Sequence, residues 1–287
     1  MLVLVDNNFA DRHGMRAYLA ASRSNRAVLP STVFEEWYKA KSPDTPRRVQ
    51  QIVCSYPDQI FVLKHTRDLL HMAGEPPGML FRLIDRQQTR DFAPYCDTVI
   101  NAPMSPELEA HFAMHQANAQ DHVNALLPEA HKMMGLFETW DREFTGEQIR
   151  SLRGIVGSGR MLSPELQRST VEKAFRLGGG LSVAHGIDRA KIPTTDAGMA
   201  NLLGVRYGFM TVALYVHMRS VSSMTPTSDK RVLNQLMDLK IAAQATYFDG
   251  FMTNEPDLDI IYQIGLGIVR ALGGYSNCGR GRVSHAR

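Results

Sequence analysis

The chain has no apolar run that approaches the roughly 20 residues a helix needs to cross a bilayer. Its longest candidate, Phe209 to Met218, stops well short of that length. Cysteine is scarce: Cys54, Cys96 and Cys278 stand far apart, odd in number and without a CxxC pair. That pattern predicts no disulfide framework and fits a reducing compartment. No internal repeat is visible, and the formal charge is only +3. So mild a balance is compatible with a polyanionic partner without demanding one. Met1 to Val5 is apolar, but no basic segment precedes it and Asp6 interrupts it. It is read as no signal peptide, and the expected location is the cytoplasm, with no membrane partner.

What is present is an ordinary globular composition. Of the 287 residues, 44% are apolar, 8% aromatic and 21% charged, values that exclude a disordered, collagen-like or coiled-coil chain. A chain this long buries well over half of its unfolded surface. It predicts one large domain, or a core carrying a sizeable insertion.

Leu2 to Val5 is a short continuous apolar run bounded by Asp6-Asn7-Asn8, the pattern of a parallel strand covered on both faces. Ala27-Val28-Leu29, Ile60 to Leu63 and Phe251-Met252-Thr253 read as further strands. Helical spacing follows at Asp11 to Ala21, after Pro30-Ser31-Thr32, at Arg67 to Ala73, at Lys230 to Tyr247 and at Asp257 to Ala271. Strands alternating with helices predict a doubly wound α/β core with a parallel sheet. Between Met79 and Gly208 helix signals dominate, with helix starts at Ser105-Pro106, Thr145 to Gln148 and Ser163-Pro164. The expected division is an α/β core over 1–74 and 209–272, a mostly helical insertion over 75–208, and a flexible basic tail over 273–287.

Ligands of open parallel sheets bind at the carboxyl ends of the strands. Asp6 ends the first strand, Glu255 follows the last, and Asp238 lies in the helix feeding that last strand. Glu35 and Glu36 come early in the helix after the second strand. Carboxylates gathered at one sheet edge repel one another and are costly to desolvate unless a cation sits among them. Mg²⁺ or Mn²⁺, with their preference for oxygen ligands, resolves that conflict.

Four segments in this order resemble the PIN domain family. Asp6-Asn7-Asn8-Phe9 resembles its D-x-N opening, and Pro30 to Trp37 its second helix, where an acid precedes an apolar residue. That alignment favours Glu36, which precedes Trp37, over Glu35. Asp238 to Ala245 resembles the third motif, an Asp opening an alanine-rich stretch. Phe251 to Leu258 resembles the fourth, a strand ending in T-x-D, with Glu255 standing where the family usually has Asp. The resemblance implies a three-layer αβα core and a metal-dependent endoribonuclease. In it Asp6, Glu36, Asp238 and Glu255 hold one or two Mg²⁺ or Mn²⁺ ions that activate water for in-line attack on an RNA phosphodiester. Asn8 and Thr253 are then supporting hydrogen-bond groups, with Asn254 and Asp257 nearby as substitutes. Many members are toxins restrained by a protein antitoxin, so an antitoxin-like regulator is an implied partner. The insertion is expected to cap the cleft, form a homo-oligomer interface or receive that partner. Glu255 and the size of the insertion also suit a second reading, a PIN-like RNA-binding or assembly scaffold without useful catalysis. The acids alone do not distinguish RNA from DNA.

Other features carry less. A phosphotransferase of the haloacid dehalogenase type needs an Asp where Asn8 stands. His111 and His115 are four apart, but HExxH is absent and an exposed helical face is expected. Gly157 to Leu162 reads as a turn, and Gly178-Gly179-Gly180 as a helix terminator or hinge. Arg82, Arg86 and Arg90 are expected on one helix face, and with Arg47-Arg48, Arg150-Arg153-Arg160 and Lys230-Arg231 they are candidate phosphate contacts.

Overall fold

A computed structural model describes residues 1–39, 42, 44–72, 80–154, 163–220 and 229–277. Four strands, β1 (Leu2–Val5), β2 (Arg26–Leu29), β3 (Ile60–Val62) and β4 (Gly250–Met252), form one parallel sheet in the order β3-β2-β1-β4. The first half of the chain adds α1 (Asn7–Ala10), α2 (His13–Ala21), α3 (Ser31–Tyr38), α4 (Asp44–Cys54), α5 (Thr66–Leu70), α6 (Leu80–Leu83) and α7 (Arg86–Cys96). The long α8 (Pro106–Trp140) follows, then α9 (Gly146–Arg153), α10 (Pro164–Ala184), α11 (Asp196–Met199) and α12 (Leu203–Ser220). The chain returns to the sheet through α13 (Asp229–Ala245), β4 and α14 (Pro256–Ala271).

Alternation within each strand explains why both sheet faces are covered. Val3, Val5, Ala27, Leu29, Ile60 and Val62 point into one buried cluster with residues of α2, α3, α4 and α7. Leu4 and Val28 point the other way, into a larger cluster with Phe137, Trp140, Phe209, Leu236 and Ile264. Successive side chains on a strand face opposite sides, so an unbroken apolar run is what a sheet buried on both faces requires. Most helices between 80 and 208 pack into these two sheet-facing clusters, while Val99, Leu108 and Phe112 form a third, small cluster with Tyr38 of α3.

Several boundaries differ from expectation. Residues after 79 stay at the sheet edge: Ile84 bridges Leu63, and Thr89 Oγ1 accepts a 3.0 Å hydrogen bond from the Val62 amide. The division at 208/209 falls inside α12. Residues 273–277 are tied down, since the Tyr275 amide donates to Asn201 Oδ1 at 2.7 Å and its carbonyl accepts from Arg206. Arg206 is wholly buried and stacks 3.6 Å over the Tyr247 ring. Residues 278–287 and the Gly157 to Leu162 turn lie outside the described residues.

Arg82 belongs to α6 while Arg86 and Arg90 share α7, with the Ile84 bridge and the Asp85 cap between, so the three do not lie on one helix. Arg47 is spent on the carbonyls of Val99, Ile100 and Ala102. His111 and His115 are half-buried instead of exposed, and His115 stacks on Tyr38 at 4.7 Å.

The expectation of unpaired cysteines is overturned. Cys54 at the end of α4 and Cys96 at the end of α7 form a disulfide, with Cα atoms 5.3 Å apart. Their separation of 42 residues hid a pair that only helix packing at the sheet edge brings together. Closing a loop of that length removes on the order of 4 kcal/mol of unfolded-state entropy. Urea unfolding with and without a thiol reductant is expected to show a stability loss approaching that figure. Identical curves for an intact disulfide and a verified reduced form contradict it.

Gly178 lies inside α10, so the glycine run is neither a terminator nor a hinge. A Cβ added at Gly178 would stand 2.3 Å from Val205 Cα, while one at Gly179 meets nothing within 4 Å. Glycine here lets α10 and α12 approach backbone to backbone. Gly178→Ala is expected to destabilise by about 1–3 kcal/mol through overpacking. Gly179→Ala is expected to stabilise by about 0.5–1 kcal/mol by restricting the unfolded chain. Equal effects in urea unfolding contradict the assignment.

Candidate metal centre

Strand order determines where the site forms. β1 has β2 on one side and β4 on the other, so the direction of winding reverses between β1 and β4, where ligands of open sheets bind. The β1–β4 register pairs Val5 with Met252 and sets Asp6 beside Thr253. The Asp6 amide donates to the Met252 carbonyl at 2.9 Å. Two segments from opposite ends of the chain thus deliver their polar residues to one spot.

A cavity of about 320 Å³ opens there, lined by Asp6, Asn7, Asn8, Glu36, Asp238 and Glu255 among others. Asp6 is buried; its Oδ2 accepts from Thr253 Oγ1 at 2.8 Å and its Oδ1 from the Asn7 amide at 2.7 Å. Asn8 Oδ1 accepts from the Asn254 amide at 2.9 Å, and the Asn254 side chain donates to the Asn8 carbonyl at 2.9 Å. These bonds clamp the β4–α14 turn onto the start of α1. Asn8, Thr253 and Asn254 accordingly fix geometry, and Asp257 stands at the cavity wall.

The choice between Glu35 and Glu36 is settled by α3 itself. Glu35 pairs with His122 of α8, while Glu36 faces the cavity and receives a hydrogen bond from the Asn7 side chain. Adjacent residues on a helix point about 100° apart, so one turn serves two neighbours.

The electrostatics are those of like charges held out of water. Burial, with smaller contributions from Glu36 and Glu255, pushes the Asp6 carboxyl up to about 6 despite the Thr253 bond. Burial and then Glu255, Asp6 and Glu36 push Asp238 up to about 8. Glu36 is also raised, chiefly by burial, with Lys39 pulling the other way. Lys39 Nζ lies 3.8 Å from Glu36 Oε1, outside the cavity lining, and is a single cation set against four carboxyl groups.

The donor set suits a hard divalent ion: carboxylates, amide oxygens and no thiol. Two buried polar groups in the lining lack partners, Gln235 Oε1 and both ring nitrogens of His217. His217 Nε2 is 3.2 Å from Asp257 Oδ1, an ion-pair distance without the alignment of a hydrogen bond. Among the described residues, no three Asp, Glu, His or Cys side chains are drawn together as a formed metal site. The acids instead surround the cavity.

Sequence reasoning did not single out His217, Asn234 or Gln235, which complete the wall. For His217 a signal existed: a buried histidine in the last turn of α12, a helix that is otherwise almost all apolar and buried. Asn234 and Gln235 precede Asp238 by one turn on α13 but follow no motif. No arginine lines the cavity among the described residues, so the proposed phosphate contacts find no support there. No described helix is long and apolar enough to cross a membrane.

Comparison with protein-family models, curated proteins and solved structures gave no match.

A carboxyl whose folded pKa exceeds its unfolded value near 4 stabilises the fold while it holds its proton. That contribution is complete below about pH 4 and is lost as pH rises through about 6 for Asp6 and about 8 for Asp238. Metal-stripped protein is therefore expected to lose thermal stability between pH 4 and 8. Millimolar Mn²⁺ should raise the Tm more at pH 8 than at pH 5, and Asp238→Asn should flatten both responses. A Tm that climbs steadily to pH 8 without metal contradicts the electrostatic account.

Proposed function

We propose that this chain is a divalent-metal-dependent nuclease acting on RNA, with Asp6, Glu36, Asp238 and Glu255 as the metal-holding acids. The observation that supports it most is the convergence of these four carboxyl groups, with Asp257 as a fifth at the wall, on one cavity at the reversal point of a parallel sheet. Carboxyl groups with raised proton affinity bind either protons or a cation, and at neutral pH a divalent ion offers the stronger compensation. The PIN-like order of the four motifs supports the same reading and supplies the preference for RNA.

When bound, Mg²⁺ or Mn²⁺ supplies positive charge beside the phosphoryl oxygens and lowers the pKa of water. The chain's own groups divide the remaining work. Thr253 and the Asn7 amide orient the two oxygens of Asp6, and the Asn7 side chain orients Glu36. Asn8 holds the turn that carries Glu255. Leu214, Leu239, Leu258 and Ile261 form an apolar wall that excludes bulk water and strengthens each charge interaction. Glu255 is exposed, so the fourth acid approaches from the solvent side, where a phosphodiester would enter.

The absence of a drawn-together ligand group among the described residues favours a second reading, a PIN-like scaffold that binds RNA without cutting it. One assay separates the two. Single-stranded RNA incubated with Mn²⁺ is expected to be cleaved, cleavage should stop with EDTA, and Asp6→Asn or Asp238→Asn should reduce kcat by on the order of a hundredfold or more. Cleavage that survives EDTA or either substitution excludes the metal mechanism, and retained RNA binding without cleavage favours the scaffold. An antitoxin-like protein partner follows from the same resemblance and is tested by co-purification at the native expression level.

A further inference from the structure

A cavity larger than the acid site lies elsewhere in the molecule. A space of about 850 Å³ lies on the other side of α13, walled by α5, α8, α10 and the start of α12. Asp238 lines the acid cavity and Lys240, two residues on, lines this one. Its volume falls within the range of about 300–1,000 Å³ typical of small-molecule sites.

Basic groups outnumber acids in the described lining. Lys240, His185 and His122 sit within it, His122 already paired with Glu35, while His65, Arg67 and His71 stand at the exposed mouth and Glu129 is the one acid among the described lining residues. The Lys240 side chain is only 16% exposed, and its nearest carboxylate, Glu129 Oε2, lies 4.0 Å away and is itself 47% exposed. Among the described residues the Lys240 ammonium donates no hydrogen bond, so a half-buried cation lacks close compensation. His65 Nδ1 accepts from the Arg67 amide at 3.3 Å, which places the ring proton on Nε2 as a donor. The remaining surface is apolar, with Leu126, Leu181 and Leu203 forming the walls.

We propose that this cavity is a second binding site, for a small organic anion with an apolar body. The head group, a carboxylate or a phosphate, sits against Lys240 and the imidazoles, and the body lies against the three leucines. A side chamber of about 350 Å³ shares His65 and His122 with the main cavity and ends at the Tyr38–His115 stack, leaving room for a longer body. Charge selects the head, and wall area selects the body. Neither the acid cluster nor the nuclease reading is required.

Titration calorimetry on the full chain, with octanoate, octyl phosphate, 1-octanol and inorganic phosphate as probes, tests the site. Saturable 1:1 binding is expected for at least one octyl anion, with 1-octanol and inorganic phosphate at least tenfold weaker. Comparison of octanoate with octyl phosphate identifies the preferred head. Lys240→Met, which keeps the apolar stem, should weaken the octyl anion at least tenfold while leaving 1-octanol unchanged. Leu181→Trp, which fills the wall, should weaken both octyl probes. Circular dichroism and the urea-unfolding midpoint serve as independent checks that each variant is folded. Binding of neither octyl anion, equal binding of 1-octanol, or an octyl anion indifferent to Lys240→Met overturns the proposal. RNA cleavage is not a readout here, so failure of the nuclease reading leaves this result separately interpretable.

Discussion

Acids ranged around one cavity, with Asp6 buried, Glu36 and Asp238 half-buried and Glu255 exposed, are the constraint around which the sheet edge is organised. Each acid arrives by a different route: Asp6 ends β1, Glu36 projects from α3, Asp238 from α13, and Glu255 leads into α14. None is stabilised by the other acids, and Asp6, Glu36 and Glu255 each raise the proton affinity of at least one of them. Such an arrangement persists only because the rest of the fold over-determines it. The parallel register of β1 and β4, the Thr253–Asp6 bond and the Asn8–Asn254 clamp hold the acids in place. Stability given up at functional sites is recovered elsewhere, here in the apolar clusters on both faces of the sheet.

Two helices mediate between that edge and the rest of the molecule. On α3, Glu36 faces the acids while Glu35 binds His122 of the long α8. On α13, Asp238 faces the acids while Lys240 faces the larger cavity. A ligand in the second cavity would therefore touch α13 directly and reach α3 only through His122, the partner of Glu35. Whether that contiguity carries energetic coupling is a question of differential binding, because proximity alone does not establish it.

Much of this was legible in the sequence because its signals are local. Leu2 to Val5 and Ile60 to Leu63 read as strands since unbroken apolar runs suit a sheet covered on both faces. Asp6, Glu36, Asp238 and Glu255 were legible as a set because a parallel sheet gathers its loops at one edge. What stayed hidden depends on distant packing. Cys54 and Cys96 meet because α4 and α7 share a sheet edge, and no spacing rule encodes that. The role of Gly178 comes from the backbone of α12, which lies far along the chain. His217 was concealed inside an apolar helix, and the cavity beside Lys240 draws its walls from five separate segments. The boundary placed at 208/209 failed because a helix packed on both sides gives no compositional break.

The most direct measurement is anomalous scattering at the manganese edge from crystals soaked in MnCl₂ at pH 8. A cation-sharing acid cluster should show one or two manganese peaks within ligand distance of Asp6 and at least two of Glu36, Asp238 and Glu255, absent from Asp238→Asn crystals. No peak in that cavity at millimolar manganese, or the Lys39 ammonium lying among the acids in its place, contradicts the central claim.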